Sequence, residues 1–112
     1  MSFQVDIKSD SAWNEEILQT PGLLQVVELY QEWSGPCKAV QSTFKRIYFE
    51  MSDSPLKFYT ACVNKVSSLA QYEGSCEPLF LFYKDGQELQ RVQGVKVPDL
   101  SRAIMQLLQE TA

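Results

Sequence analysis

Thiols are the most reactive side chains in this sequence, because its 112 residues include three cysteines and no histidine. Cys37, Cys62 and Cys76 are an odd number at wide, irregular spacings, which argues against a secreted disulfide framework and against a four-ligand zinc ribbon. Reduced thiols in the cytoplasm are the simplest interpretation. Without histidine, the chain cannot form a serine-protease triad, a histidine general base or a mixed cysteine–histidine zinc site. We expect no metal and no cofactor.

Length and composition predict a single domain over residues 1–112. A chain of this size buries roughly 60–70% of its unfolded surface, which is enough for one core. The net charge of −4 provides no basic stripe to neutralise phosphates, so we expect neither nucleic acid nor an anionic membrane as a partner. Residues 1–10 lack the cationic and apolar regions of a signal peptide, and the densest apolar run, 79–83, is too short to span a bilayer.

The strands that must position these thiols are predicted from runs of apolar and β-branched residues. Five segments have this pattern: 3–7, 23–30, 56–63, 79–83 and 88–93. Segment 23–30 is nearly all apolar, which is typical of a strand buried on both faces. Asp85 and Gly86 predict a hairpin turn between the last two strands.

Helices are predicted in the remaining segments. The first is capped by Ser9 or Asp10 and stopped by Pro21 and Gly22. The second begins near Cys37 and has an apolar stripe formed by Val40, Phe44, Ile47, Tyr48 and Met51. A short third helix is capped by Asn64 and ended by Gly74, and Pro98 opens the last. The order βαβαβαββα predicts an α/β fold with a mixed central sheet flanked by helices.

The segment between the second strand and its helix carries the most specific motif. It consists of Trp33, Ser34, Gly35, Pro36, Cys37 and Lys38. This segment resembles the W-C-G-P-C-K motif of the thioredoxin superfamily, and the likeness in element order covers nearly the whole chain. The resemblance implies a thioredoxin fold, with Pro78 standing where the family has a cis-proline facing the motif and Gly94 where it has a glycine after the last strand. It further implies a peptide-binding groove framed by Trp33, Glu77, Pro78 and Gly94.

Ser34 departs from the family motif at the position of the attacking cysteine. Dithiol exchange needs one thiolate to attack a disulfide and a second thiol to resolve the mixed disulfide. A serine hydroxyl has a pKa far above the thiol value of about 8.5, and the sequence has no histidine to take its proton. We therefore expect no catalytic residue and no thiol–disulfide turnover.

Glu28 is the second departure, since active thioredoxins have aspartate five residues before the motif tryptophan. The extra methylene moves the carboxyl by roughly an angstrom, which matters for a positioned proton relay. Two interpretations stay open, a modified relay and a satisfied semi-buried acid with no redox role.

The three thiols are predicted to have different environments. Cys37 matches the resolving position and is expected to be packed and mostly inert, while the alternative is a lone thiol open to oxidation. Cys62 is expected in the core. Cys76 is expected near the surface, where a regulatory or intermolecular disulfide is an alternative.

Two segments resemble a narrower group within the superfamily. They are 27–33 (VELYQEW) and 76–82 (CEPLFLF). Both are similar to thioredoxin-like light chains of axonemal outer-arm dynein and to the thioredoxin modules fused to nucleoside diphosphate kinase in cilia. The resemblance implies a redox-inactive binding or structural subunit in the ciliary or flagellar axoneme, with dynein heavy or intermediate chains as partners.

Three alternatives to this function remain open at the level of sequence. One is a residual oxidoreductase or redox sensor that uses Cys37 or Cys76. Another is an engineered cysteine-to-serine form of an active thioredoxin. The third is a chaperone-like module with weak, promiscuous affinity for extended peptides.

Overall fold

The computed structural model describes residues 3–110, in which strands and helices follow the predicted order βαβαβαββα. The strands are β1 (Gln4–Ile7), β2 (Leu24–Tyr30), β3 (Leu56–Cys62), β4 (Leu79–Lys84) and β5 (Gln87–Gln93). The α-helices are α1 (Asp10–Trp13), α2 (Lys38–Glu50) and α3 (Val97–Glu110). A π-helical turn (Asn14–Leu18) continues α1, and a 3₁₀ segment (Ser67–Tyr72) stands between β3 and β4.

The five strands form one mixed sheet in the order β1-β3-β2-β4-β5. β1, β3 and β2 are parallel, whereas β4 runs antiparallel to β2 and β5 antiparallel to β4. Parallel neighbours need a crossover through a helix, while antiparallel neighbours need only a turn. The predicted mixed central sheet flanked by helices is thereby confirmed.

Apolar side chains are buried on both faces of the sheet, and β2 contributes side chains to the core on each face. All seven residues of β2 are buried, and successive side chains of a strand point to opposite faces. Val26 accordingly packs with Phe44 of α2 and Ile104 of α3. Val27 packs on the other face with Trp13 and Ile17. A central strand buried in this way fixes which side chain meets which helix.

The two long helices cover the same face of the sheet as Val26. α2 buries Val40, Phe44 and Ile47 of the predicted stripe. Tyr48 is partly buried, as is Met51, which follows the last residue of the helix. α3 begins at Val97, so that Pro98 lies in its first turn, where a missing N–H costs no helical hydrogen bond. No helix within residues 3–110 combines the length and apolar character needed to cross a bilayer.

The helix predicted after Asn64 is a 3₁₀ segment, and the predicted cap at Asn64 is wrong. The Asn64 side chain accepts a hydrogen bond from the Glu32 N–H at 2.8 Å and is therefore engaged elsewhere. The Ser67 N–H and hydroxyl instead donate to the two carboxylate oxygens of Asp10, both at 2.6 Å. Asp10 is available for this because Ser9 caps α1, accepting a hydrogen bond from the Ala12 N–H at 3.1 Å.

The hairpin between β4 and β5 turns at Asp85 and Gly86, as predicted. Both residues have positive φ, 52° and 80°, which is typical of a type I′ turn. A Cβ atom added to Gly86 would lie 2.8 Å from the carbonyl oxygen of Leu18. The turn is thus fitted against the end of the π-helical turn and accepts only glycine at this position.

Replacing Gly86→Ala is expected to lower the free energy of unfolding by about 2–3 kcal/mol, from left-handed strain and the contact with Leu18 together. Gly22→Ala is the matched control, because Gly22 also has positive φ but an added Cβ meets nothing within 4 Å. Its expected loss is about 1 kcal/mol, from strain alone. Urea denaturation measures both. Equal losses would show that the contact with Leu18 contributes nothing.

Candidate functional site

The motif turn between β2 and α2 is held by the backbone carbonyl of Gln31. This oxygen accepts hydrogen bonds from the Ser34 N–H at 3.1 Å and from the Gly35 N–H at 2.9 Å. Gly35 has φ +69°, a conformation that glycine adopts without the steric cost of a Cβ. The chain reverses within a few residues of the end of β2 and presents the motif at the carboxyl end of the strand.

Side-chain amides fix this turn from behind, and the sequence interpretation missed them. Gln31 is buried; its Nε2 donates to the carbonyl of Tyr72 at 2.9 Å, and its Oε1 accepts from the Gly74 N–H at 3.1 Å. Asn64 accepts from the Glu32 N–H, as described above. The available signal was the position of Gln31, the first polar residue after a strand of buried residues. These bonds tie the motif turn to the 3₁₀ segment and its following loop.

The opposite wall of the site is formed by residues 75–78. Within residues 3–110 every peptide bond is trans, including the bond between Glu77 and Pro78, so the cis-proline implied by the resemblance is not observed. Trans is the intrinsically preferred isomer even before proline. The Gly94 N–H donates to the Pro78 carbonyl at 2.7 Å, and a Cβ added to Gly94 would lie 2.9 Å from Glu77 Oε2. Gly94 therefore supports this wall from outside the cleft.

A cleft of about 210 Å³ lies between the motif turn and this wall. Most of the residues singled out from the sequence line it: Glu28, Trp33, Ser34, Gly35, Pro36, Cys37, Cys76, Glu77 and Pro78. Leu29, Tyr30, Gln31 and Ser75 complete the lining. Lys38 begins α2 and, like Gly94, does not line the cleft. Trp33 is 73% exposed at the rim, which leaves its indole available to a partner.

Ser34 stands at the mouth of the cleft without a base. Its hydroxyl lies 3.2 Å from each of two backbone carbonyl oxygens, those of Gln31 and Gly35. Carbonyl oxygens accept a hydrogen bond but do not remove a proton from an alcohol. Among the described residues, no hydrogen bond joins the Ser34 hydroxyl to a side chain that could act as a base.

Glu28 is fully buried beneath the motif turn. Alternation along β2 places its side chain on the face of Val26, which α2 covers. Glu28 Oε2 accepts a hydrogen bond from the Cys37 N–H at 2.5 Å, whereas Oε1 has no hydrogen-bond partner among the described residues. Burial raises the pKa of this carboxyl from 4.5 to about 7, and the hydrogen bond from Cys37 offsets part of the rise.

The hydrogen bond to Cys37 gives Glu28 a structural task. Cys37 is the N-cap residue of α2, and its own side chain makes no capping hydrogen bond. A carboxylate at a helix N-terminus satisfies a free N–H group and interacts favourably with the helix dipole. Glu28 performs this role from the neighbouring strand.

The three cysteines are free and differ in exposure. Cys62 is buried in β3, and Cys37 is half-buried against the core beside α2. Cys76 is exposed and lines the cleft together with Cys37. Among residues 3–110, no three potential metal ligands come together.

Comparison with known proteins places these features in a family. Residues 4–106 match the family model described as Thioredoxin. The chain is 51% identical over 107 residues to "Dynein 14 kDa light chain, flagellar outer arm" of Chlamydomonas reinhardtii, an alignment that covers 96% of this chain and 83% of that one. It is 41% identical to "Thioredoxin domain-containing protein 6" of Xenopus laevis, covering 96% of this chain but only 17% of that protein.

Solved structures agree on the fold. Thioredoxin from Fasciola hepatica superposes with a TM-score of 0.74 at 24% identity, covering 92% of this chain and 98% of that one. An identity at this level supports the fold and carries no argument about activity.

The Glu28 carboxyl is expected to make the stability of the protein depend on pH. Its pKa is higher in the folded chain than the ordinary 4.5, so folding favours the protonated form. The free energy of unfolding should therefore fall as pH rises from about 4.5 to about 7 and level off above that. The Glu28→Gln side chain stays neutral at every pH. The fall in the free energy of unfolding over this range should therefore be smaller in Glu28→Gln than in wild type by about 2–3 kcal/mol.

Urea denaturation of wild type and Glu28→Gln at about pH 5 and about pH 8 measures the difference. Glu15→Gln, which changes an exposed carboxyl, is the control and should keep the wild-type slope. Parallel pH profiles for wild type and Glu28→Gln would contradict the raised pKa.

Proposed function

This chain belongs to the thioredoxin family, and we propose that within it the chain acts as a redox-inactive binding subunit, a light chain of flagellar or ciliary outer-arm dynein. The observation that carries the proposal is Ser34, which stands where the family has its attacking cysteine. The host is proposed from the 51% identity to the dynein light chain of Chlamydomonas. The axoneme is the proposed location, and dynein heavy or intermediate chains are the proposed partners.

The loss of activity follows from the number of sulfurs at the motif turn. Thiol–disulfide exchange forms a mixed disulfide with the first sulfur and releases it with the second. Cys37 alone could form a mixed disulfide, but the motif provides no neighbouring thiol to resolve it. Ser34 cannot substitute, since its hydroxyl faces carbonyl oxygens.

The binding role follows from what the substitution leaves in place. The cleft, the exposed Trp33 and the wall at Pro78 require neither sulfur of a dithiol pair. Gln31 and Asn64 hold the turn through amide hydrogen bonds, which do not change with redox conditions. A surface of this kind can bind a partner continuously, whereas an active thioredoxin must release its substrate after each turnover.

A single-thiol enzyme or redox sensor is the second candidate. The observation in its favour is Cys76, which is exposed and lines the same cleft as Cys37. Such a function would depend on an external thiol to resolve the mixed disulfide.

Purified protein is expected to show no catalysed reduction of insulin disulfides, because the attacking sulfur is missing. Ser34→Cys should gain turnover, since the rest of the motif is present, and Ser34→Ala should stay inactive. Turnover by the wild-type protein would contradict the proposal. If that turnover disappeared in Cys37→Ser or Cys76→Ser, it would instead assign the single-thiol enzyme.

Affinity capture from an extract of flagellar axonemes is expected to recover outer-arm dynein heavy or intermediate chains, identified by mass spectrometry. Trp33→Ala should reduce the recovery about tenfold, as truncation of an aromatic anchor does at many interfaces. Phe49→Ala is the control, because Phe49 is also a largely exposed aromatic residue, at 63%, but does not line the cleft. Absence of dynein chains would contradict the host, whereas equal recovery with both variants would contradict the cleft as the binding surface.

A further inference from the structure

The outward face of α2 is basic, although the protein as a whole is acidic. This helix spans Lys38–Glu50 and buries Val40, Phe44 and Ile47 against the sheet. At about 3.6 residues per turn, the opposite side of the helix consists of five residues, all of them exposed, which we call the basic stripe: Lys38, Ser42, Lys45, Arg46 and Phe49. The whole chain has a net charge of −4, whereas this stripe contains three cations and no carboxylate.

The cations of the basic stripe have little internal compensation. Neither Lys38 nor Lys45 forms an ion pair with a carboxylate of residues 3–110. Arg46 approaches Glu50, but the distance from Nε to Oε1 is 3.9 Å and both side chains are 64% exposed. An exposed pair at this separation contributes little, because water screens the two charges. The stripe therefore presents positive charge to a ligand.

Apolar surface lies at the end of the basic stripe farthest from the motif turn. Phe49 is largely exposed, and its ring packs edge-on against Tyr48 with the two centroids 5.4 Å apart. A cavity of about 210 Å³ opens beside it, lined by Tyr48, Phe49, Met51, Ser52 and Leu56. The four heavy atoms of a leucine side chain, at roughly 30 Å³ for each water-sized group, need roughly 120 Å³. One aliphatic side chain of a ligand thus fits in this cavity.

Charge determines which occupant suits this face. A symmetric dimer would place the same patch of both subunits in contact, so that cations would face cations. A membrane or a nucleic acid presents negative charge over a wide area and would also meet the acidic remainder of the chain. A narrow acidic segment of a polypeptide meets the stripe alone. Lys38 and Phe49 are about 16.5 Å apart along the helix axis, a distance that about five extended residues span.

We propose that the outward face of α2 binds an acidic segment of a polypeptide. One aliphatic side chain of the segment occupies the cavity beside Phe49, and the carboxylates that follow it pair with the cations of the basic stripe. The inference goes beyond the proposed function, because Lys38, Lys45 and Phe49 do not line the cleft. The protein would hold one polypeptide in the cleft and a second along α2. Phe49→Ala therefore still serves as the control for binding in the cleft.

The test is a titration of the ¹⁵N-labelled protein with the peptide acetyl-Leu-Glu-Glu-Glu-Glu-Glu-amide, followed by NMR. This acidic peptide is expected to shift the amide signals of Lys45, Arg46 and Phe49 and to leave the Trp33 indole signal unchanged. Two matched peptides separate the charge from the anchor, one with glutamine for every glutamate and one with alanine for leucine. Each should bind about tenfold more weakly than the acidic peptide. Absence of binding, or equal binding of the glutamine peptide, would overturn the proposal.

Variants show whether the basic stripe itself carries the binding. Lys45→Gln and Phe49→Ala are each expected to weaken binding of the acidic peptide several-fold. The matched controls are Lys8→Gln, at an exposed lysine outside α2, and Met105→Ala, at an exposed apolar side chain of α3. Both controls should bind as the wild type does. Unchanged binding in either stripe variant would overturn the proposal.

Lipid vesicles distinguish an acidic polypeptide from a membrane surface. Vesicles of phosphatidylserine should bind the protein no better than vesicles of phosphatidylcholine. Binding of the acidic peptide should weaken as the salt concentration rises from about 50 to about 500 mM, since salt screens exposed charges. A preference for phosphatidylserine vesicles without binding of the peptide would assign the stripe to a membrane and overturn the proposal.

The outcomes also separate this inference from the proposed function. Recovery of dynein chains without binding of the acidic peptide would leave the light-chain role standing and remove the second polypeptide. Binding of the acidic peptide without recovery of dynein would keep the ligand of the basic stripe and remove the host.

Discussion

The hydrogen bond between the Cys37 N–H and Glu28 Oε2 connects the centre of the sheet to the first turn of α2, and the arrangement of the site depends on it. Glu28 can make this bond because β2 is buried on both faces and alternation places its side chain beneath that helix. A shift of β2 by one residue would direct Glu28 to the opposite face and leave both groups without partners. The packing of the core thus determines the chemistry of the cleft floor.

The fold could be read from the sequence because local and long-range signals agree in it. Buried apolar runs, the stripe from Val40 to Met51 and the turn at Asp85 and Gly86 each specify one element, and their order predicts a mixed sheet flanked by helices. Apart from the isomer at Pro78, the error concerns a polar side chain with more than one available partner. Asn64 was expected to cap the helix that follows it, but its amide holds Glu32 across the turn, and a sequence does not show which partner lies nearer in space.

Residues of the candidate site could be predicted from the sequence where they belong to a recognisable motif. They could not be predicted where their role depends on contacts with side chains from other elements. Trp33, Cys37 and Pro78 were found because they match positions of the family motif that the sequence resembles. The anchoring role of Gln31 was not found, since a single glutamine at the end of a strand has no distinguishing pattern. The unpartnered oxygen of Glu28 could not be foreseen either, because the state of each carboxylate oxygen depends on the position of atoms in other elements.

The hydrogen bonds from Ser67 to the Asp10 carboxylate are the first step of a chain of contacts that leads to the cleft. Ser67 begins the segment that ends at Tyr72, Tyr72 accepts the amide of Gln31, and Gln31 holds the motif turn. A residue at the start of α1 is therefore linked to the motif turn through three successive contacts, two of which join different elements. A substitution at Asp10 would remove the first of these contacts without changing any residue that lines the cleft.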